Sequence, residues 1–372
     1  MTSTWLVFLS QIAALLACFA VPLAVLPLFI WGERKICAWI QDRVGPNRVG
    51  PFGLLQPLAD VIKLIFKEDV IPIRVDKLLF VLAPLFAFVP AMVALAVIPM
   101  GPGFYLGDTA AADGSNFIAL QGADLGVGLL FLFAMMGLGS YALTFGGWAS
   151  NSKYSQLGGI RASAQLISYE IALTLAAVAV LMTTHNPDFN ISNIVWDQVR
   201  RPEMVDGAWQ TKYWFNGIFP AEWNIFRQPL AFIIFFVAAL AETNRAPFDL
   251  PEAEPELVGG YHTEYSSFKF AMFFMGEYLG ILIQSALVAL LFLGGWHMPF
   301  MPLQALAGWD GLIWMAVGFG VFLVKMHVVV FVFMWIRWTF PRFRYDQLMG
   351  LGWKVLIPLA IANAVVTACL TM

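Results

Sequence analysis

The sequence predicts an all-α, polytopic membrane protein with about eight transmembrane helices and one amphipathic interfacial helix. Three observations predict it. Only 12% of the 372 residues are charged, against about 25% in an average soluble domain. Mean hydropathy is +0.76, with 60% of residues hydrophobic. Apolar runs long enough to cross a bilayer, about 20 residues each, recur along the whole chain. So few charges cannot coat a soluble fold, which excludes ordinary globular, disordered and disulfide-scaffold classes. Cys18, Cys37 and Cys369 lie far apart, which argues against a zinc knuckle or a four-cysteine iron–sulfur site within the chain.

The apolar runs cover 5–30, 78–100, 124–147, 162–184, 229–247, 270–294, 311–338 and 352–370. Pro22 and Pro27 interrupt the first, which is tolerable where neighbouring helices satisfy the freed carbonyls. No small-residue cleavage site follows it and no basic residue precedes it, so a cleaved signal peptide is a poor reading. Lys and Arg set the orientation. Arg34, Lys35, Arg43, Arg48, Lys63, Lys67, Arg74 and Lys77 crowd the first loop, and loops three, five and seven add Lys153, Arg161, Lys269, Arg337, Arg342, Arg344 and Lys354. Loops 101–123 and 295–310 have none. The odd loops are therefore expected to face the cytoplasm, with both termini on the opposite side. The whole chain, 1–372, reads as one integral membrane domain. It carries a cytoplasmic loop at 31–77, a Trp-rich outer loop at 185–228 and an acidic cytoplasmic loop at 248–269. The basic residues of the long outer loop (Arg200, Arg201, Lys212, Arg227) weigh little, because the rule weakens with loop length.

Within the first loop, Leu54, Leu55, Leu58, Ile62, Ile65 and Phe66 make one helical face. Gln56, Asp60, Lys63 and Lys67 make the other. This segment is too polar to span and suits the membrane interface. Inside the spans, ionisable groups need a reason, since each costs ~2.5–3.5 kcal/mol on insertion scales. Glu170 and Glu277 lie about 12–14 Å in from the cytoplasmic boundary, Glu242 about 7 Å and Lys325 about 18 Å, counted at helical rise. Together they read as a graded descent toward mid-membrane. Asp249, Glu252, Glu254, Glu256 and Glu264, with Arg245, extend it into the fifth loop. Carboxylates this dense titrate together and can store and pass protons; the plainer alternative is local pairing, such as Glu242 with Arg245. Arg337, Arg342 and Arg344 are expected to bind the acids of the fifth loop. A stand-alone ion transporter would suit the same acids.

Four signatures carry a resemblance. The first runs from Glu33-Arg34-Lys35 through Gly45-Pro46-Asn47 and Leu55-Gln56-Pro57 to Lys67-Glu68. The second is Arg161-Ala162-Ser163-Ala164-Gln165 followed by Ser168-Tyr169-Glu170. The third is Ala241-Glu242-Thr243-Asn244-Arg245-Ala246-Pro247-Phe248-Asp249-Leu250. The fourth is Pro341-Arg342-Phe343-Arg344-Tyr345-Asp346-Gln347-Leu348-Met349. Together they resemble the H-type subunit family of bacterial proton-pumping NADH:quinone oxidoreductase (respiratory complex I), equivalent to subunit 1 of mitochondrial NADH dehydrogenase. The likeness spans about Trp31 to Pro358; the outer loop 185–228 departs from it. The membrane anchor of a related energy-conserving hydrogenase shares parts of these signatures.

The resemblance implies a role in quinone reduction coupled to proton translocation, as part of a multisubunit enzyme. Glu33, Arg34, Arg43, Asp60, Lys63, Arg337 and Arg342 match the quinone chamber, with Phe270 and Phe274 as apolar wall. Glu170, Glu242, Arg245, Asp249, Glu252, Glu254, Glu256, Glu264, Glu277 and Lys325 match the coupling path. It further implies a quinone substrate (ubiquinone or menaquinone), with NADH, FMN and iron–sulfur clusters held by partner subunits. Those partners are the hydrophilic-arm subunits, one with the quinone-proximal cluster and one forming most of the quinone pocket, and the small and antiporter-like membrane subunits. The implied location is a bacterial plasma membrane. Nothing points to a metal site or to nucleic acid.

Overall fold

A computed structural model describes residues 2–105, 117–184, 188–199, 202–205, 208–211, 223–251, 258–297 and 308–371. The first helix, α1 (Thr2–Ile40), runs through Pro22 and Pro27 and carries Glu33-Arg34-Lys35 on its final turns. A short 3₁₀ turn (Pro51–Gly53) leads into α2 (Gln56–Phe66), which starts with Pro57 in its first turn as its fixed φ allows. Asp76 caps α3 (Lys77–Leu95), accepting from the backbone nitrogens of Leu78 and Leu79. A two-residue antiparallel hairpin, β1 (Phe104–Tyr105) with β2 (Phe117–Ile118), precedes α4 (Gly128–Ala149) and α5 (Lys153–Leu181). In the outer loop lie α6 (Ile191–Val199), a second hairpin of β3 (Pro202–Val205) with β4 (Ala208–Thr211), and α7 (Asn224–Arg227). Then come α8 (Pro229–Glu242), α9 (Ser267–Phe292), α10 (Gly308–Thr339), α11 (Tyr345–Gly350), a π-helical turn (Leu351–Leu356) and α12 (Ile357–Thr371).

The architecture is all-α. Among the described residues, seven stretches are long and apolar enough to cross a membrane: α1, α3, α4, α5, α9, α10 and the continuous run Tyr345–Thr371. The eighth expected span, 229–247, is a 14-residue helix that ends at Glu242, about 21 Å long. Its end has a local cause. Asn244 takes a left-handed φ of 51° and Pro247 follows, the usual pair that stops a helix. Hydropathy counted Ala246 and Pro247 as span; backbone chemistry ends the helix before them.

The bundle is built around α5, α8 and α9. Here α3 packs on α4, α4 on α5, α5 on α8, and α9 on α3 and α10. Small residues allow close approach. A Cβ on Gly276 of α9 would fall 2.7 Å from the Ala87 carbonyl oxygen of α3, and one on Gly147 of α4 2.5 Å from the Ser155 carbonyl oxygen of α5. The half of α9 from Leu279 to Phe292 is almost wholly buried apolar side chain, broken by Gln284 and Ser285. Outside, large apolar residues such as Leu9, Leu16, Val324 and Leu370 remain exposed, as a lipid-facing surface requires.

Candidate functional site

Three helices deliver one carboxyl each to a common space. Glu170 comes from α5, Glu242 from the last residue of α8 and Glu277 from α9. All three line a cavity of about 100 Å³, large enough to hold several water molecules. Ser140, Thr243, Asn244 and Tyr261 add polar atoms to its wall, while Met135, Leu166 and Ile283 are among its apolar neighbours. Gly137 of α4 makes room for Glu170, since a Cβ there would lie 2.8 Å from its Oε1. Gln284 donates to Glu242 Oε2 at 2.6 Å. Glu170 is close enough to act electrostatically on Glu242.

Arg245 pairs with Glu277 at 3.2 Å, both side chains 7% exposed, and not with Glu242. Its guanidinium also lies 4.6 Å over the Tyr278 ring. Tyr278 is close enough to Glu33 for the two to interact electrostatically, and Glu33 is ion-paired with Arg337. A second, smaller cavity of about 10 Å³ touches Glu33, Arg245 and Arg337, and Thr243 lines both cavities. Two adjoining cavities thus place the Glu33–Arg337 pair, the Arg245–Glu277 pair and the other two glutamates in sequence.

At the basic end, Arg34 binds Asp60 at 2.6 Å, and the other oxygen of Asp60 accepts from Gln56 at 3.1 Å. Arg43 turns back onto Gln41 (2.8 Å) and the Cys37 sulfur (3.4 Å). Lys63 is exposed on α2, as are Leu58, Ile62, Ile65 and Phe66. Arg342 pairs with Asp249 at 2.6 Å, as expected of the seventh and fifth loops, whereas Arg344 pairs with Asp346 of its own loop and Arg337 with the first loop's Glu33. Phe270 and Phe274, one turn apart, pack with rings tilted 44° and centroids 4.6 Å apart, and the His262 ring sits against both.

Some expected residues stand elsewhere. Lys325 is no part of the glutamate series. Its Nζ donates to the carbonyls of Leu293 (2.6 Å) and His297 (2.5 Å) and lies 4.3 Å over the Trp223 ring. Leu293 is sixteen residues beyond Glu277, about 24 Å along α9. Depth counted on one helix cannot say which neighbours a side chain meets. Glu264 is half-buried in the turn before α9 and does not line the cavity. Glu252, Glu254 and Glu256 lie outside the described residues. Tyr278 and Gln284 escape sequence reasoning because an uncharged polar residue in a span raises no alarm, the one signal being spacing, with Gln284 two turns past Glu277; Gln165 stands in the second signature, but no role was read from it.

A family model described as NADH dehydrogenase matches residues 12–368. The chain is 44% identical to the first of the NADH-quinone oxidoreductase H-type subunits of Cytophaga hutchinsonii, over 96% of this chain and 95% of that one. It is 45% identical to the corresponding first H-type subunit of Geobacter sulfurreducens, covering 97% and 94% of the two chains. The H-type subunit of the Bacillus cytotoxicus NADH-quinone oxidoreductase is 47% identical over 95% of this chain and 92% of its own. With the match covering every helix that lines the two cavities, the chain belongs to the NADH dehydrogenase family.

Proposed function

We propose that this chain is a membrane subunit of a bacterial plasma-membrane NADH–quinone oxidoreductase, forming much of the quinone chamber and coupling quinone reduction to proton translocation. The observation that carries it is the convergence of Glu170, Glu242 and Glu277 on one cavity, with Arg245, the partner of Glu277, sharing a second cavity with the Glu33–Arg337 pair. NADH, flavin and iron–sulfur clusters belong on partner hydrophilic subunits, and antiporter-like membrane subunits would receive the signal. A quinone needs an apolar slot for its tail and a few polar groups for its head. The aromatic row Phe270, Phe274 and Tyr278 and the charged belt Glu33, Arg34, Asp60 and Arg337 supply both kinds of surface beside the bases of α1 and α10.

The chemistry at the quinone is a two-electron, two-proton reduction, the electrons arriving from a partner's cluster. Proton withdrawal near Glu33 and Arg337 changes the field felt through Tyr278 at the Arg245–Glu277 pair. In a low-dielectric interior such a change is felt strongly by the next carboxyl, so Glu242 and Glu170 re-partition their protons. Glu242→Gln or Glu170→Gln in the assembled complex should lower quinone-linked turnover and pumping by roughly tenfold or more. NADH oxidation by ferricyanide should stay unchanged. Wild-type pumping in an assembled variant would refute the coupling role.

A further inference from the structure

The C-terminal carbonyls of a helix need donors when water cannot reach them. At the buried end of α8, Thr243 Oγ1 donates to Leu240 O at 2.8 Å and backbone nitrogens reach Ala239 O and Ala241 O; a side chain of α5 then ties the helix end to the turn beyond it. Gln165 of α5 is 0% exposed. Its amide nitrogen donates to Ala241 O at 2.8 Å, to Phe248 O at 2.8 Å and to Asn244 Oδ1 at 3.3 Å. These acceptors are the first residue, the middle and the last of the turn that carries Glu242 and Arg245. The turn is held from the other side by the seventh loop, through Phe343 N to Pro247 O at 3.0 Å and Arg342 to Asp249 at 2.6 Å. Glu170 stands five residues beyond Gln165 on the same helix. One rigid element therefore grips the turn and carries the carboxyl that the turn must face.

We propose that Gln165 is a positioning residue that fixes Glu242 and Arg245 relative to Glu170, so that a charge change at the basic end is transmitted to the cavity; this rests on the coupling function proposed above. An ordinary helix cap would add stability and nothing else. The distinction is that two hydrogens are spread over three oxygens spanning the whole turn, which sets its shape as well as its end. Phe343 and Arg342 report the state of the seventh loop to the same turn, and Gln165 is the fixed point against which they act.

The test uses the assembled complex in vesicles, with activities expressed per bound flavin. Gln165→Leu keeps the volume and removes the donor. It should lower NADH–quinone turnover about tenfold, the scale of a displaced coupling group, with ferricyanide turnover per flavin unchanged. Gln165→Glu is the rescue. Its protonated carboxyl can donate into the oxygen cluster; its ionised form meets three oxygens and cannot. The introduced group shares this region with Glu170, Glu242, Arg245, Asp249 and Glu277. Turnover should approach wild type on the acid side and fall on the alkaline side more steeply than in wild type. A purely structural role would reduce the amount of complex and leave per-flavin turnover and its pH profile unchanged, and that result overturns the inference. Should Gln165→Leu fail to assemble, the profile of Gln165→Glu decides alone. If Glu242→Gln is impaired and the Gln165 variants are not, only this inference falls; if Glu242→Gln is also normal, the coupling function falls with it.

Discussion

A charge buried in this bundle survives only with company. Arg245 has Glu277 and the Tyr278 ring, Glu33 has Arg337, and Lys325 has two carbonyls and an indole face. The Lys325 arrangement leaves a mark on its neighbour. His297 sits 3% exposed in the loop after α9; burial first, and the Lys325 charge second, push its imidazole down to about 4. The unfolded chain would protonate it near 6.5. With the folded value lower, its contribution to stability is complete above about pH 6.5 and is lost as pH falls toward about 4, where the unfolded state binds the extra proton. Thermal unfolding of the purified protein should therefore weaken across that window, and His297→Phe, which keeps a ring and removes the titration, should flatten that part of the profile. An unchanged slope in the variant would show that His297 is already solvated. Which residues were legible follows from the same physics. Glu170, Glu242 and Glu277 stood out because ionised groups are costly in apolar runs. Tyr278 did not, and Gln165 stood only as a signature residue without a role, since neutral polar groups carry no such cost. Lys325 was visible too, but its contacts were not, because they come from the end of α9 and the loops beyond, which one helix's arithmetic cannot reach.

At the scale of elements, the cavity exists because α3, α4, α5, α8 and α9 pack on one another in turn without filling the space between them. Gly276 and Gly280 are one turn apart on α9 and both line that cavity, yet they differ. A Cβ on Gly276 would meet the α3 backbone at Ala87, whereas one on Gly280 would meet nothing within 4 Å. Backbone cannot swing aside as a flexible side chain can. Gly276→Ala should thus push α9 from α3 and cost on the order of 1–3 kcal/mol, the range for overpacking, read as a lower unfolding temperature of the complex. Gly280→Ala should be tolerated. Equal effects would mean that the α3–α9 contact does not limit the packing. The seven long spans were readable from hydropathy, as was the amphipathic helix α2, whose apolar face is exposed on the isolated chain. The early end of α8 was not, although Asn244 and Pro247 spelled it out, because a hydropathy window averages over the stop signal.

For the whole molecule, the short α8 raises the question of topology, since seven long spans alone would place the termini on opposite sides. The outer loop answers it. At the start of α8, Asn224 donates to Leu291 O near the far end of α9, while the residues after Glu242 reach the cavity and the fifth loop at the end where α9 begins. We propose that the helix with its recessed turn makes a crossing, because the polar backbone of that turn lies among protein groups and not in lipid. On that proposal eight crossings would put both termini on one side, and the Lys and Arg bias would assign the other side to the cytoplasm. This can be checked by single-cysteine labelling in a Cys369→Ser background, with Cys18 and Cys37 buried. Val44→Cys, at a position 81% exposed in the first loop, should react with a membrane-impermeant maleimide in inverted vesicles and not in intact spheroplasts. Thr371→Cys, exposed at the end of α12, should do the reverse. Labelling of both from the same side would make the passage through α8 a re-entrant loop, and the acids would then open to a different compartment from the one that coupling to a cytoplasmic quinone site requires.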